Sequence, residues 1–173
     1  MDYVTQPISR EKIRQFSFIL RKLFDVPIHG PFPVLDVLDK LPDVFKHCYY
    51  EIVEDDAWDY NTVAQCCENS EGGFTIKIKA YVYYGAYEKK IGAYLGFIMH
   101  EICHVFLNSV GFKPILERCF DDAIPLYCSA EWQAKSLCGE TMIPYSDSIG
   151  MDKYTLMETY HVSKGIAEYR TKL

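Results

Sequence analysis

The sequence contains no apolar run approaching the roughly 20 residues that a membrane helix requires, so a membrane-spanning protein is not expected. It also lacks an excess of positive charge. The net charge is −6, and acid runs such as Glu54-Asp55-Asp56 and Asp121-Asp122 outweigh the scattered lysines and arginines. Nucleic-acid readers present a basic face, so direct DNA binding is disfavoured. Met1-Asp2-Tyr3-Val4-Thr5 lacks the charged-then-apolar layout of a secretory leader. Repeats and low-complexity segments are absent as well.

Cysteine is not scarce, but its pattern does not suit a disulfide scaffold. The seven (48, 66, 67, 103, 119, 128 and 138) are odd in number, and several fall where buried side chains are expected. They read as reduced thiols of a cytoplasmic protein. The adjacent pair Cys66-Cys67 has no second pair at zinc-site spacing. With 49% hydrophobic residues, 173 residues suffice for one domain with a real core.

Periodicity gives the order of elements. Ser9 caps a helix to about Phe24, with Ile13, Phe16, Leu20, Leu23 and Phe24 on one side. Pro33 starts a shorter helix that stops before Pro42. Cys48 to Val53 is rich in strand formers, and Phe74 to Ala80 alternates after the turn Gly72-Gly73; Tyr81 to Tyr84 prolongs it. The middle of the chain is therefore expected to form a sheet of two or three strands. Helical period returns from about Lys90 to Asn108 and from Ser129 to about Glu140, and the tail reads as helices near 151–160 and 163–171. The expectation is one α+β domain: N-terminal helices over 1–45, sheet and metal-site helices over 46–144, and C-terminal helices over 145–173.

His100-Glu101-Ile102-Cys103-His104 matches H-E-x-x-H inside the amphipathic helix. Residues four apart share a helix face, so both imidazoles can converge on one ion. Glu101 stands about 100° around the axis, poorly placed to ligate but able to reach a water on the ion. A Lewis acid and a proton acceptor then meet at one point. By residue frequency the pentapeptide arises by chance in on the order of one chain in a few hundred of this length.

A zinc site of this kind needs a third protein ligand and an open position. Asp121 and Asp122 lie in a loop, His161 in a turn of the tail, and Glu131 in the first turn of the next helix. A packed helix holds a ligand more rigidly than a loop, which favours Glu131 without eliminating the others.

The stretch Gly96 to Leu107, followed by Glu131-Trp132-Gln133-Ala134 through Met142-Ile143-Pro144, resembles the ImmA/IrrE family of metallopeptidases. That family pairs H-E-x-x-H with a later helix reading E-x-x-A and ending in a Met-Pro-like stop. Val82 to Ala86 and the tail from Tyr160 to Arg170 echo it more weakly, so the likeness spans about residues 74–173. It departs at Cys103, where glycine is common, and at Thr141 to Pro144, which is less leucine-rich. The resemblance implies a zincin-like domain with His100, His104 and Glu131 on Zn2+ and Glu101 as general base. It implies an endopeptidase whose substrate is a helix-turn-helix repressor encoded beside it, often in a prophage or mobile element. The competing expectations are a zinc-containing binding module or toxin–antitoxin component without proteolysis, and hydrolysis of some other amide. Within the tail, the turn at His161-Val162-Ser163 also has a superficial helix-turn-helix look; two short helices completing the core is the plainer reading. The tyrosines at 81, 83, 84 and 87 read mainly as packing, with one phenol available to steady an oxyanion from a strand edge.

Overall fold

A computed structural model describes residues 2–115 and 124–172. The chain begins with a strap over residues 2–8 that the sequence did not announce. Val4 bridges Ser129, and main-chain bonds run from Thr5 N to Cys128 O (2.8 Å), Ile8 N to Tyr127 O (3.1 Å) and Ile115 N to Val4 O (2.8 Å). Helix α1 (Arg10–Leu23) follows, with Ser9 accepting from the Lys12 N–H as its N-cap. Ile13, Phe16, Leu20 and Phe24 are buried as expected, but Leu23 is 44% exposed. Seven positions beyond Phe16 it lies about 20° outside that residue, at the rim of the stripe in the last turn of the helix.

Two short helices come next, α2 (Val34–Asp39) and α3 (Leu41–Val44). Helical structure thus resumes through Pro42, which stands in the first turn of α3 where the missing N–H costs nothing.

The sheet has three strands among the described residues: β1 (Tyr49–Val53), β2 (Ala64–Glu68) and β3 (Phe74–Lys79), in the order β1-β3-β2. β1 runs parallel to β3 and β2 antiparallel, with Cys66 opposite Ile76. Ile76 and Ile78 point into the core from the central strand. The third strand is β2, a run of ordinary residues with weak strand preference that pairing with β3 holds extended. Cys66-Cys67 belongs to it.

Tyr81 to Tyr84 does not prolong β3. These residues form α4 (Ala80–Lys89), whose buried positions Val82 and Ala86 are four apart. A Cβ on Gly85 would come within 2.5 Å of the Tyr94 ring, so α4 packs there only because that residue is glycine. Tyr83 stacks on Tyr50 and Tyr87, which confirms packing for that phenol. Lys89 closes α4 and Lys90 adopts the left-handed conformation (φ 50°) between this helix and the next.

Helix α5 (Gly92–Ser109) is the core helix. Ile98, Met99, Ile102, Cys103, Val105 and Phe106 are fully buried, and Phe106 meets Phe16 edge to face at 5.5 Å. Helix α6 (Ala130–Met142) lies between α1 and α5, which explains why it is buried almost all round from Gln133 on. The tail forms α7 (Tyr145–Ser148), α8 (Lys153–Tyr160) and α9 (Lys164–Arg170), with Ser163 capping α9. Leu156, Tyr160, Val162, Ala167 and Arg170 are buried, so these helices complete the core. Gly92 permits this closeness: a Cβ there would lie 2.5 Å from the Val162 carbonyl carbon.

Two buried arginines tie the helical layer together. Arg21 donates to the carbonyls of Thr141, Pro27 and Gly30. Burial lowers its pKa to about 10, which leaves it charged at neutral pH. Arg170 forms a two-point pair with Glu140 (2.7 and 2.8 Å), and Arg14 adds a third contact at 3.3 Å. No single helix among the described residues is long and apolar enough to cross a membrane.

Candidate metal centre

His100 and His104 project from one face of α5, one turn apart, with ring centroids 4.7 Å apart and Nε2 atoms 3.1 Å apart. Packing of α6 on α5 brings in Glu131. Its Oε2 stands 3.2 Å from His100 Nε2, and its Oε1 3.5 Å from His104 Nε2. Every donor of the trio lies within 4.8 Å of the others, and this group could hold a metal ion. Donors at about 2.0–2.2 Å from a tetrahedral ion are about 3.3–3.6 Å from one another, and the three side chains, with Oε2 nearer His100 and Oε1 nearer His104, are close enough together to turn one atom each towards a single ion.

Local sequence explains the placement of Glu131. Ser129 is the N-cap of α6, its Oγ accepting from the Trp132 N–H at 2.9 Å and donating to the Asp2 carboxylate at 2.7 Å. Asp2 also accepts from the Glu131 N–H at 3.2 Å. The strap therefore fastens the turn that carries the third donor. Ser129→Ala should cost about 1 kcal/mol of stability, read as a shift of the urea midpoint at unchanged slope. An unchanged midpoint would show that the cap carries no weight here.

Electrostatics suit the ligand role. Hydrogen bonds from His100 and His104 hold the Glu131 carboxyl far below the usual carboxylate range, so it is ionised at neutral pH. Glu101 is shifted the other way. Burial raises its pKa, against lowering by both imidazoles and by the Cys66 backbone N–H. It stays outside the trio yet lines the same cavity, a polar recess bounded by Tyr3, Ala64 to Cys66, His100, His104 and Glu131. Strand β2, the edge of the sheet, forms one wall of this recess.

The other sequence candidates fall elsewhere. His161 is exposed in the left-handed turn after α8 (φ 53°) and takes no part in the cluster. Asp121 and Asp122 lie outside the described residues. The strand edge beside the metal helix is β2, not the tyrosine segment, which is helical. The phenol that does line the recess is Tyr3, beside Asn108, whose amide donates to the His104 carbonyl at 2.9 Å. Nothing in the sequence flagged Tyr3, because only the strap's pairing with residues 127–130 brings it there. The six cysteines among the described residues are free thiols.

Fold and cluster together define an α+β chain with a two-histidine, one-carboxylate group that could hold a metal ion. No protein-family model matches the chain, and a search of curated proteins finds no match.

Proposed function

We propose that the protein is a zinc-dependent endopeptidase of the ImmA/IrrE type, cutting a helix-turn-helix repressor encoded beside it. The observation that carries the reading is the convergence of His100, His104 and Glu131 within 4.8 Å of one another, with Glu101 at the same recess. Two imidazoles and one carboxylate form the donor set of a hydrolytic zinc site with an open position, whereas a closed structural site takes four protein ligands. The family likeness described above supplies the substrate class. Free thiols suit the reducing cytoplasm in which such a repressor would be met.

Zinc held by these three residues supplies Lewis acidity towards the scissile carbonyl and the attacking water. Glu101 accepts the water's proton on a carboxylate oxygen and passes it to the leaving amine nitrogen. Burial raises the Glu101 pKa above the ordinary carboxylate value, the direction that makes its carboxylate a better proton acceptor. The substrate backbone pairs with the outer edge of β2 where that strand lines the recess, so main-chain hydrogen bonds orient the peptide. The Tyr3 hydroxyl is a donor available to the developing oxyanion.

The direct test incubates the zinc-loaded protein with the neighbouring repressor. A discrete cut is expected, lost on chelation and restored by zinc. Stable binding without cleavage by the zinc-loaded protein would instead establish a binding module.

A further inference from the structure

A second cavity opens on the other side of His100 and Glu131. It measures about 600 Å³ and is walled by Phe97 of α5, Trp132, Ser136 and Gly139 of α6, and Ile166 and Tyr169 of α9. Its lining is overwhelmingly apolar, in contrast to the polar recess beside β2. Phe97, His100 and Glu131 border both, so the donor cluster sits at the junction.

We propose that this cavity is the specificity pocket of the peptidase, receiving a bulky apolar side chain of the substrate next to the scissile bond. The inference rests on the protease reading and extends it to the substrate's chemistry. A peptide pairing with β2 across the polar recess is carried past His100 towards the second cavity, where an apolar wall rewards burial of an apolar side chain. The volume falls within the range of ligand pockets. Among the described residues that line it, Glu131 is the one carboxylate and Lys135 the one lysine or arginine.

Gly139 shows that the space is kept open. Glycine in a helix interior is destabilising relative to alanine, yet a Cβ here would meet nothing within 4 Å. Its backbone is ordinary helix, so a larger residue fits the helix and projects into the cavity. The C-terminal helix thereby gains a purpose beyond completing the core: Ile166 and Tyr169 form the wall facing α6.

The test uses the full zinc-loaded chain and dye–quencher octapeptides of Gly, Ser and Gln, with one central residue set to Ala, Leu, Phe or Lys. Leu and Phe peptides should exceed the Ala peptide in kcat/KM by roughly 100-fold, since even one methylene in an apolar pocket is worth 10–200-fold. Gly139→Leu should collapse that preference to within a few-fold while zinc content persists. Gly139→Ala should keep most of it, and serves if the leucine variant fails to fold. Equal rates across the wild-type series, or an equal loss on all peptides in Gly139→Leu, would overturn the pocket.

A binding arm separates this proposal from the protease reading. In a Trp58→Phe, Glu101→Gln background, Trp132 is the remaining indole and lines the cavity. Its fluorescence should shift on adding the Leu or Phe peptide and not the Ala or Lys peptide. That selectivity without cleavage by the Glu101-intact protein would sustain the pocket and end the protease reading. Cleavage of the repressor with no selective shift, or no binding of any peptide, would end the pocket reading alone.

Discussion

Replacing Glu101 by glutamine should leave one zinc per chain and slow repressor cleavage by about 10³-fold, within the span expected for losing a general base. The reasoning is geometric before it is chemical. Glu101 lies beside the first histidine in sequence but outside the donor trio, so its replacement removes no ligand. It faces the recess that the substrate and water would occupy, and glutamine keeps its size. What the amide lacks is the capacity to take a proton from water and release it to the leaving nitrogen. Metal content by mass spectrometry and single-turnover rates on the repressor decide the matter. Replacing His104 by alanine serves as the contrast, since it should lose metal and activity together. If Glu101→Gln cleaves at the wild-type rate, the base lies elsewhere.

Glu140→Ala should destabilise the fold by about 3–5 kcal/mol, the usual consequence of stranding a buried charge. Arg170 is 1% exposed along its side chain and its partner Glu140 6%, so water cannot replace the lost carboxylate. Arg14 also loses its contact, although it is one-third exposed and can turn to solvent. The pair joins α9 to α6, so the helix forming one wall of the apolar cavity should loosen first. Urea unfolding would show a lower midpoint. Combining Glu140→Leu with Arg170→Met should recover most of the loss, because replacing both partners leaves no unpaired charge. A single-variant cost below 1 kcal/mol would mean that the pair does not anchor the tail.

The sheet illustrates how a local pattern can mislead. Phe74 to Lys79 alternates in sequence, with Ile76 and Ile78 buried and Thr75 and Lys77 half-buried on the other face, and that signal is local, although Lys79 on the same face as Thr75 and Lys77 is buried as well. β2 carries no comparable signal, since Ala64, Gln65 and Glu68 are indifferent to strand and its two cysteines suggest other chemistry. Its extended form is imposed by the partner strand. Tyr81 to Tyr84 shows the reverse failure: aromatic residues favour strands on average, but burial of Val82 and Ala86 on one face made a helix the better solution. Exposed Leu23 reflects a similar limit, because an apolar residue near the stripe is not thereby on it.

The sequence by itself determined that two imidazoles would share one helix face with a carboxylate beside them, since an i, i+4 spacing fixes direction once the helix forms. It also determined the caps at Ser9, Ser129 and Ser163, because those bonds close within three residues. Only the tertiary structure decided that Glu131 completes the trio and that His161 does not. It alone laid residues 2–8 against the start of α6, turned Tyr3 towards the recess and left an apolar cavity in front of Gly139. Those contacts join residues 27 to 129 positions apart. Their partners are selected by how helices and sheet pack, and no local spacing encodes that.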